Sequence, residues 1–363
     1  MGLHHRCARQ RRKCGQQSAL GRIQLGGHGI VDGPVSSAAG IIQRRLLSAI
    51  PVLVIVLLAT FLLLENASGD AVDAYLVSIG GGDAMLRDTL RSQYGLDQSM
   101  LARLWLYLSS VARLDLGWSV AFDRPVLTLI LERLPNTLLL MTTATALSFV
   151  VGSALGIVAG AKPGSLRDRT LSTLSLALYA MPGFWLGLVL VIVFSVSLRW
   201  LPTSGLETIA SGKQGIDRAL DIGRHLILPV VSLGLIYLAL FLRVMRNAMA
   251  DIWPLEFVAF AQSKGLTHRR IVLRHVARNA ALSLVTVLGL QSAAMLGGSV
   301  VIESVFAIPG FGRLAHEAVS GRDAPLLMGI ILSSAVFVIL INLVVDLLYA
   351  VLDPRIRAQG GSA

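Results

Sequence analysis

Trp253–Asn279 reads WPLEFVAFAQSKGLTHRRIVLRHVARN, and its pattern decides how the rest of the chain is understood. Pro254 suits the first turn of a helix, where its missing N–H costs nothing, and Gly265 suits the left-handed backbone of a helix stop. Between them Leu255, Val258 and Ala261 line one stripe, which Phe257 and Phe260 widen. Thr267 can cap a second helix, in which Ile271, Val272, Val276 and Ala277 oppose Arg269, Arg270, Arg274 and Arg278. The pattern predicts two short amphipathic helices, neither long enough to cross a membrane. Helices this short are marginal alone, so something must cover their apolar faces. The protein's own span ends, a lipid surface and a groove on a soluble partner are the three possibilities.

On either side of this segment the chain turns apolar. Of 363 residues, 54% are hydrophobic and 15% charged, with a mean hydropathy of +0.70; a soluble domain carries about 25% charge. Aromatic residues make up only 6%, so the excess comes from the Leu, Val, Ile and Ala of lipid-facing helices. A membrane-crossing helix needs about 20 apolar residues. Six stretches qualify or nearly so: Leu46–Leu64, Thr137–Ala161, Leu171–Leu198, Leu226–Leu242, Ala280–Ile302 and Ala324–Val345. The fourth is short and is expected to run through Arg243 to about Met249, its arginines snorkelling to the interface. The expected fold is an all-α membrane protein of six spans.

Loop charge sets the orientation. Spans four and five are joined by Arg243, Arg246, Lys264, Arg269, Arg270, Arg274 and Arg278 against Asp251 and Glu256, and spans two and three by Lys162, Arg167 and Arg169 against Asp168. The alternate loops are balanced or slightly acidic. The positive-inside rule then puts both termini in the cytoplasm. The same arrangement explains the formal charge of +11 without nucleic acid. Residues 1–40 are polar and basic, too polar for a signal peptide; they are read as translated upstream sequence with the start near Val31, Val35 or Ile41, a disordered tail being the alternative. The remaining divisions are 41–132 (first span and a large outward segment), 133–352 (a five-span core with its loop at 250–279) and a tail at 353–363. In the outward segment Leu101, Leu104, Trp105, Leu108 and Val111 recur at helical spacing, and Pro135 is expected to open span two. Cys7 and Cys14 lie in the leader and form neither an outward disulfide nor a metal site.

The run Ala261, Lys264, Gly265, Leu266, Arg274, His275, Arg278, Asn279 resembles the cytoplasmic EAA loop of binding-protein-dependent ABC importer permeases. The acidic first position and the later Leu-Pro of that motif are missing. Phe257, Val258, Ala261, Lys264, Gly265 and Leu266 are similar to the dipeptide, oligopeptide and nickel branch, which shares both departures. The resemblance extends through Leu114–Gly117 with Pro125–Val126, Glu132–Leu138, Pro182 with Phe184–Gly187, Val305–Phe306 with Pro309–Gly310 and Gly312–Leu314, and Asp346–Arg357. Ser68–Ala71 replaces the branch's usual Pro-Gly-Asp-Pro. The resemblance implies a type I importer permease fold, and a substrate among dipeptides, oligopeptides, nickel complexes, glutathione and related solutes. It also implies a second homologous permease subunit in a heterodimer, two cytoplasmic ATPases and an external solute-binding protein. It further implies that ATPase closure pushes on the loop around Ala261–Gly265.

In that setting Gly289, Gly297 and Gly298 permit close helix approach, and Gln291, Ser292 and Ser299 are candidates to face an aqueous path or a packed neighbour. Pro182 should kink span three. Glu303 reads as an interfacial anchor rather than a substrate ligand. A secondary transporter, the alternative reading, would carry intramembrane carboxylates or histidines for ion coupling, and these spans hold almost none except Asp346. The seven histidines, at 4, 5, 28, 225, 268, 275 and 316, lie outside the spans and form no catalytic constellation. No phosphate-binding loop is present, so ATP hydrolysis belongs to another chain. No cofactor or metal is expected on this one.

Overall fold

Proline and glycine placement decides where these apolar stretches become one helix or two. The computed structural model describes residues 38–65, 72, 76, 81, 83–93 and 97–352. The leader through residue 37, the Ser68–Ala71 step and the tail at 353–363 lie outside the described residues. The described helices are α1 (Ala38–Glu65), α2 (Ala84–Gln93), α3 (Met100–Ala112), α4 (Val126–Gly160), α5 (Leu166–Ala180), α6 (Gly183–Ser197), α7 (Gly215–Ile252), α8 (Glu256–Ser263), α9 (His268–Val305), α10 (Phe311–Ser320) and α11 (Ala324–Leu352). A two-residue antiparallel ladder, β1 (Trp118–Ser119) with β2 (Arg124–Pro125), precedes α4.

Five of these helices, α1, α4, α7, α9 and α11, are long and apolar enough to cross a membrane, and a sixth crossing exists if α5 and α6 count together. Span three is therefore not the continuous helix expected at Leu171–Leu198. It breaks by 99° between α5 and α6. Pro182 disfavours the helical region for the residue before it, and Met181 is extended at φ −83°, ψ 133°. Pro182 itself is extended and becomes the N-cap of α6. The expected kink is in fact a corner.

Two other boundaries differ from the sequence reading. Span two does not open at Pro135, because α4 begins at Val126 with Pro125 as its N-cap. Pro135 lies inside α4 despite a lost backbone bond and the crowding of its ring against the carbonyl four residues earlier, so a proline in an apolar run does not by itself mark a start. Span four runs through Arg243 and Arg246 as expected, ending at Ile252, but α7 begins at Gly215, well before the expected start at Leu226.

α7 is the core. In its most apolar stretch 61% of residues are buried, against 22–28% in the other four long helices, so the others wrap it and turn their outer faces away. α4 approaches it most closely, because Gly152, Gly156 and Gly160 repeat every fourth residue along one face. A Cβ at Gly156 would lie 2.6 Å from Met245 Cβ, and one at Gly152 would lie 2.7 Å from the Leu238 carbonyl oxygen. Where lipid removes the hydrophobic drive between helices, such close van der Waals packing is what holds them. Phe149 meets Phe241 edge-on in the same interface at 5.5 Å.

At the end of the bundle away from the arginines, one carboxylate organises the loop before α10. Glu303 is fully buried, so it is a structural latch and not the interfacial anchor expected. Thr137 on α4 donates its hydroxyl to Glu303 Oε1 at 2.6 Å, and Arg313 donates its backbone N–H to Oε2 at 2.9 Å. Thr137 Oγ1 in turn accepts the Phe311 N–H at 2.8 Å. A side chain at Gly310 would collide with that carboxylate, and a Cβ at Gly312 would lie 2.7 Å from the Val300 Cα and 3.0 Å from Glu303 Oε2. Replacing Glu303 with alanine orphans the buried Thr137 hydroxyl, at about 1–3 kcal/mol, and leaves the part-buried Arg313 N–H without its acceptor. Thermal unfolding in detergent should rank wild type above E303Q and E303Q above E303A; equal stability of E303A and wild type would remove the latch.

Candidate functional site

At the arginine-rich end, α7 does not simply turn into α9. Trp253 closes α7, and its indole N–H donates to the Gly160 carbonyl at the end of α4, 2.7 Å away. The same ring stacks on the imidazole of His268 at 5.6 Å, only 9° from parallel. One side chain thus joins the end of α4, the end of α7 and the start of α9. Pro254 lies ahead of the helix rather than in its first turn, because Leu255 is the N-cap of α8 and receives the Val258 N–H at 2.9 Å.

The stop of α8 is as expected from Gly265, which adopts φ +72°. The Gly265 N–H donates to Gln262 O at 2.9 Å and the Leu266 N–H to Ala261 O at 3.4 Å. This pair of bonds is the Schellman arrangement, and it satisfies two otherwise orphaned carbonyls at the helix end. Leu266, folded back by the turn, packs on the same apolar cluster as Ala261.

The second short helix expected from the sequence is not separate. It is the beginning of α9, a single helix from His268 to Val305. Thr267 occupies the N-cap but its hydroxyl caps nothing; its carbonyl receives Arg270 and Ile271 instead. Residues 271–276 form wider turns with i→i+5 bonds, such as Ala277 N–H to Val272 O. That geometry rotates Ile271, Val272, Val276 and Ala277 inward, where they are buried with Met245, Met249, Val258, Ala261 and Leu284. Wide turns of this kind are found mostly as local insertions in helices, often at functional positions.

α8 consequently has two faces of different fate. Val258 and Ala261 are buried against α7 and α9, answering in part what covers the loop: the protein's own span ends. Leu255, Phe257 and Phe260 are not covered, with Phe260 61% exposed, and the Lys264 ammonium sits 4.4 Å from the Phe260 ring centre. The stripe read as continuous from Leu255 is divided, since Leu255 is the N-cap and exposed whereas Val258 and Ala261 are buried. An aromatic face on a helix of eight residues, locked from behind, is a rigid projection.

The second group of candidates lies on α9 and at the α5–α6 corner and does not converge with α8. Gly289 lies against Val345 of α11, where a Cβ would collide, and Gly298 faces the Tyr237 hydroxyl, which a Cβ would meet at 3.3 Å. Gly297 has open space beside it among the described residues, so close approach does not explain it. Gln291 and Ser292 are half-buried, and the Ser292 hydroxyl bonds back to Leu288 O at 2.7 Å. Ser299 is fully buried beside Leu296 O at 2.9 Å. Pro182 sits at the corner, where Gly183 and Gly187 admit Ile236 and the ring of Phe306. Sequence reasoning missed Trp253 and the Gly152–Gly156–Gly160 row; the four-residue spacing of small residues was a legible signal for the row.

Comparison with known proteins agrees with this geometry. Residues 152–358 match the family model described as "Binding-protein-dependent transport system inner membrane component". The chain is 38% identical over 334 residues to the di/tripeptide transport system permease protein DppB of Pseudomonas aeruginosa, covering 88% of this chain and 98% of that one. It is 35% identical to the oligopeptide transport system permease protein AppB of Bacillus subtilis, covering 88% and 99%. Against the glutathione transport system permease protein GsiC of Escherichia coli it is 38% identical, covering 86% and 97%. The fold is similar to that of the MetNI methionine ABC transporter in an inward-facing conformation, at a TM-score of 0.50 and 19% identity, over 62% of this chain and 97% of that one. With its locked, aromatic-faced α8 between two spanning helices, this chain belongs to the family of binding-protein-dependent transport system inner membrane components, the membrane permeases of ABC importers.

Proposed function

We propose that the chain forms half of the translocation path of an ATP-driven importer for di- or oligopeptides, or a solute of similar chemistry such as glutathione. A second, homologous permease subunit supplies the other half, two ATPase subunits engage α8, and an external solute-binding protein delivers the substrate. The arginine-rich end, with both termini, lies in the cytoplasm, in keeping with loop charge. The names of the relatives support the substrate class.

The observation that carries this reading is the exposed Phe257 and Phe260 of α8, with the N-cap Leu255 also exposed, backed by the buried Val258 and Ala261. An amphipathic helix presenting aromatic anchors fits a groove on a partner, and buried aromatic anchors dominate interface energy. Replacing both Phe257 and Phe260 with aspartate should leave the permease in the membrane fraction and abolish co-purification of the ATPase. Retention of a full complement of ATPase by that variant would defeat the assignment. The substrate is then read by thermal shift of the partner binding protein against di-, tri- and tetrapeptides, glutathione and nickel. Stabilisation by peptides or glutathione is the expected result, and stabilisation by nickel alone would overturn the substrate class.

A further inference from the structure

The α4–α5 corner is tied to α7 more firmly than a loop needs to be. Asp168, in the first turn of α5, is 2% exposed. Arg246 of α7 meets it with both arms: Nε donates to Oδ1 at 2.8 Å and Nη2 to Oδ2 at 2.9 Å. The carboxylate also accepts the Gly164 N–H at 2.8 Å and the Ser172 hydroxyl at 3.2 Å, so it shapes the turn that leads into its own helix. Seven residues further along α7, the Trp253 indole holds Gly160 on the other side of the same corner. A third link is the Arg243 guanidinium, 5.7 Å from the centre of the Tyr179 ring on α5. A two-armed arginine–carboxylate pair fixes angle as well as distance.

We infer that the Asp168–Arg246 pair is a positioning clamp for transport, which carries displacement of α8 and the end of α7 into the α4–α5 corner and so into the broken helix α5–α6. This rests on α8 being where the ATPase pushes. The route onward is visible in the packing. α5 ends at the Pro182 corner, α6 lays Gly187 against the ring of Phe306, and the Phe306 carbonyl receives the Gly205 N–H at 2.8 Å at the far end of the bundle. Without the pair, α8 would still move α7 and α9, and the α5 corner would keep the Trp253 indole, the Arg243 contact and its apolar packing on α7, but would lose the ion pair that fixes angle as well as distance.

Spatial adjacency alone does not demonstrate coupling, so the test is a double-mutant cycle on the complete complex of permeases, ATPases and binding protein in liposomes. D168N and R246K are each expected to keep the ATPase bound and basal ATP hydrolysis in place. Both should lower peptide uptake and substrate-stimulated hydrolysis by about tenfold, within the usual range for coupling between linked sites. The exchanged pair, D168R with R246D, should recover at least part of that loss. A merely structural pair would instead lower assembly and uptake in proportion. Wild-type uptake by D168N, or losses that track assembly and are not recovered by the exchange, would overturn the clamp. G265V distinguishes the underlying reading: normal transport by that variant would remove α8 as the coupling element, whereas its failure beside a fully active D168N would remove the clamp alone.

Discussion

Replacing Gly265 with valine is expected to abolish transport and substrate-stimulated ATP hydrolysis while leaving the protein in the membrane. Bulk is not the reason, since a Cβ at Gly265 would meet nothing within 4 Å among the described residues. The reason is the backbone: φ is +72°, a region that costs an ordinary L-residue roughly 1–2 kcal/mol and a β-branched one more. The eight residues of α8 have little cooperative stability of their own to set against that strain. Relaxing φ to a negative value breaks both Schellman bonds and swings α8 off Ala277 and Val276. Asparagine, which tolerates the left-handed region, should retain most activity and alanine less, so uptake should rank Gly, Asn, Ala, Val. The measurement is uptake into vesicles beside an immunoblot of the membrane fraction. An order that follows side-chain size, with asparagine worse than alanine, would show that the turn geometry is not what matters.

Gly156→Leu should have an effect of similar size for a different reason, acting on folding rather than coupling. Its Cβ would lie 2.6 Å from Met245 Cβ and 2.8 Å from the Leu242 carbonyl oxygen. The second contact is backbone and cannot rotate away. Overpacking a tight interface costs typically 1–3 kcal/mol, and the cost here falls on the contact between α4 and the core helix α7. The variant should fail to accumulate as a monodisperse species in detergent, with G156A intermediate. Gly297→Ala serves as the contrast, because that position opens onto free space and alanine favours a helix by about 1 kcal/mol over glycine. Size-exclusion profiles and melting temperatures would separate the three. A well-behaved G156L protein would mean that α4 and α7 are not held together through this row of glycines.

The limits of the sequence reading follow from the range over which each interaction acts. Helix stops, amphipathic faces and loop charge are local, and so Gly265, the buried Val258 and Ala261, and the long apolar helices were legible from the residues alone. Gly152, Gly156 and Gly160 carried a signal that was there to be read. Pro135 and Pro182 illustrate what was not: both are prolines in apolar runs, yet one lies inside a helix and the other turns the chain by 99°. Which outcome occurs depends on what packs around the freed backbone groups, and that is a tertiary matter.

The same holds for the charges. Glu303 and Asp168 looked like an interfacial anchor and a loop residue, because in sequence each stands beside basic neighbours or a span end. Their partners, Thr137 and Arg246, lie 166 and 78 residues away. For the segment at Trp253–Asn279, the residues by themselves determined that an amphipathic pair flanks a left-handed glycine turn, since that requires only local periodicity and the backbone freedom of glycine. Only the tertiary structure decided that the second half is the start of a spanning helix, that Trp253 binds the end of α4, and that Leu255, Phe257 and Phe260 stay uncovered. Burial is a property of neighbours brought together by folding, so which apolar residues a chain leaves for a partner is settled after its own packing is complete.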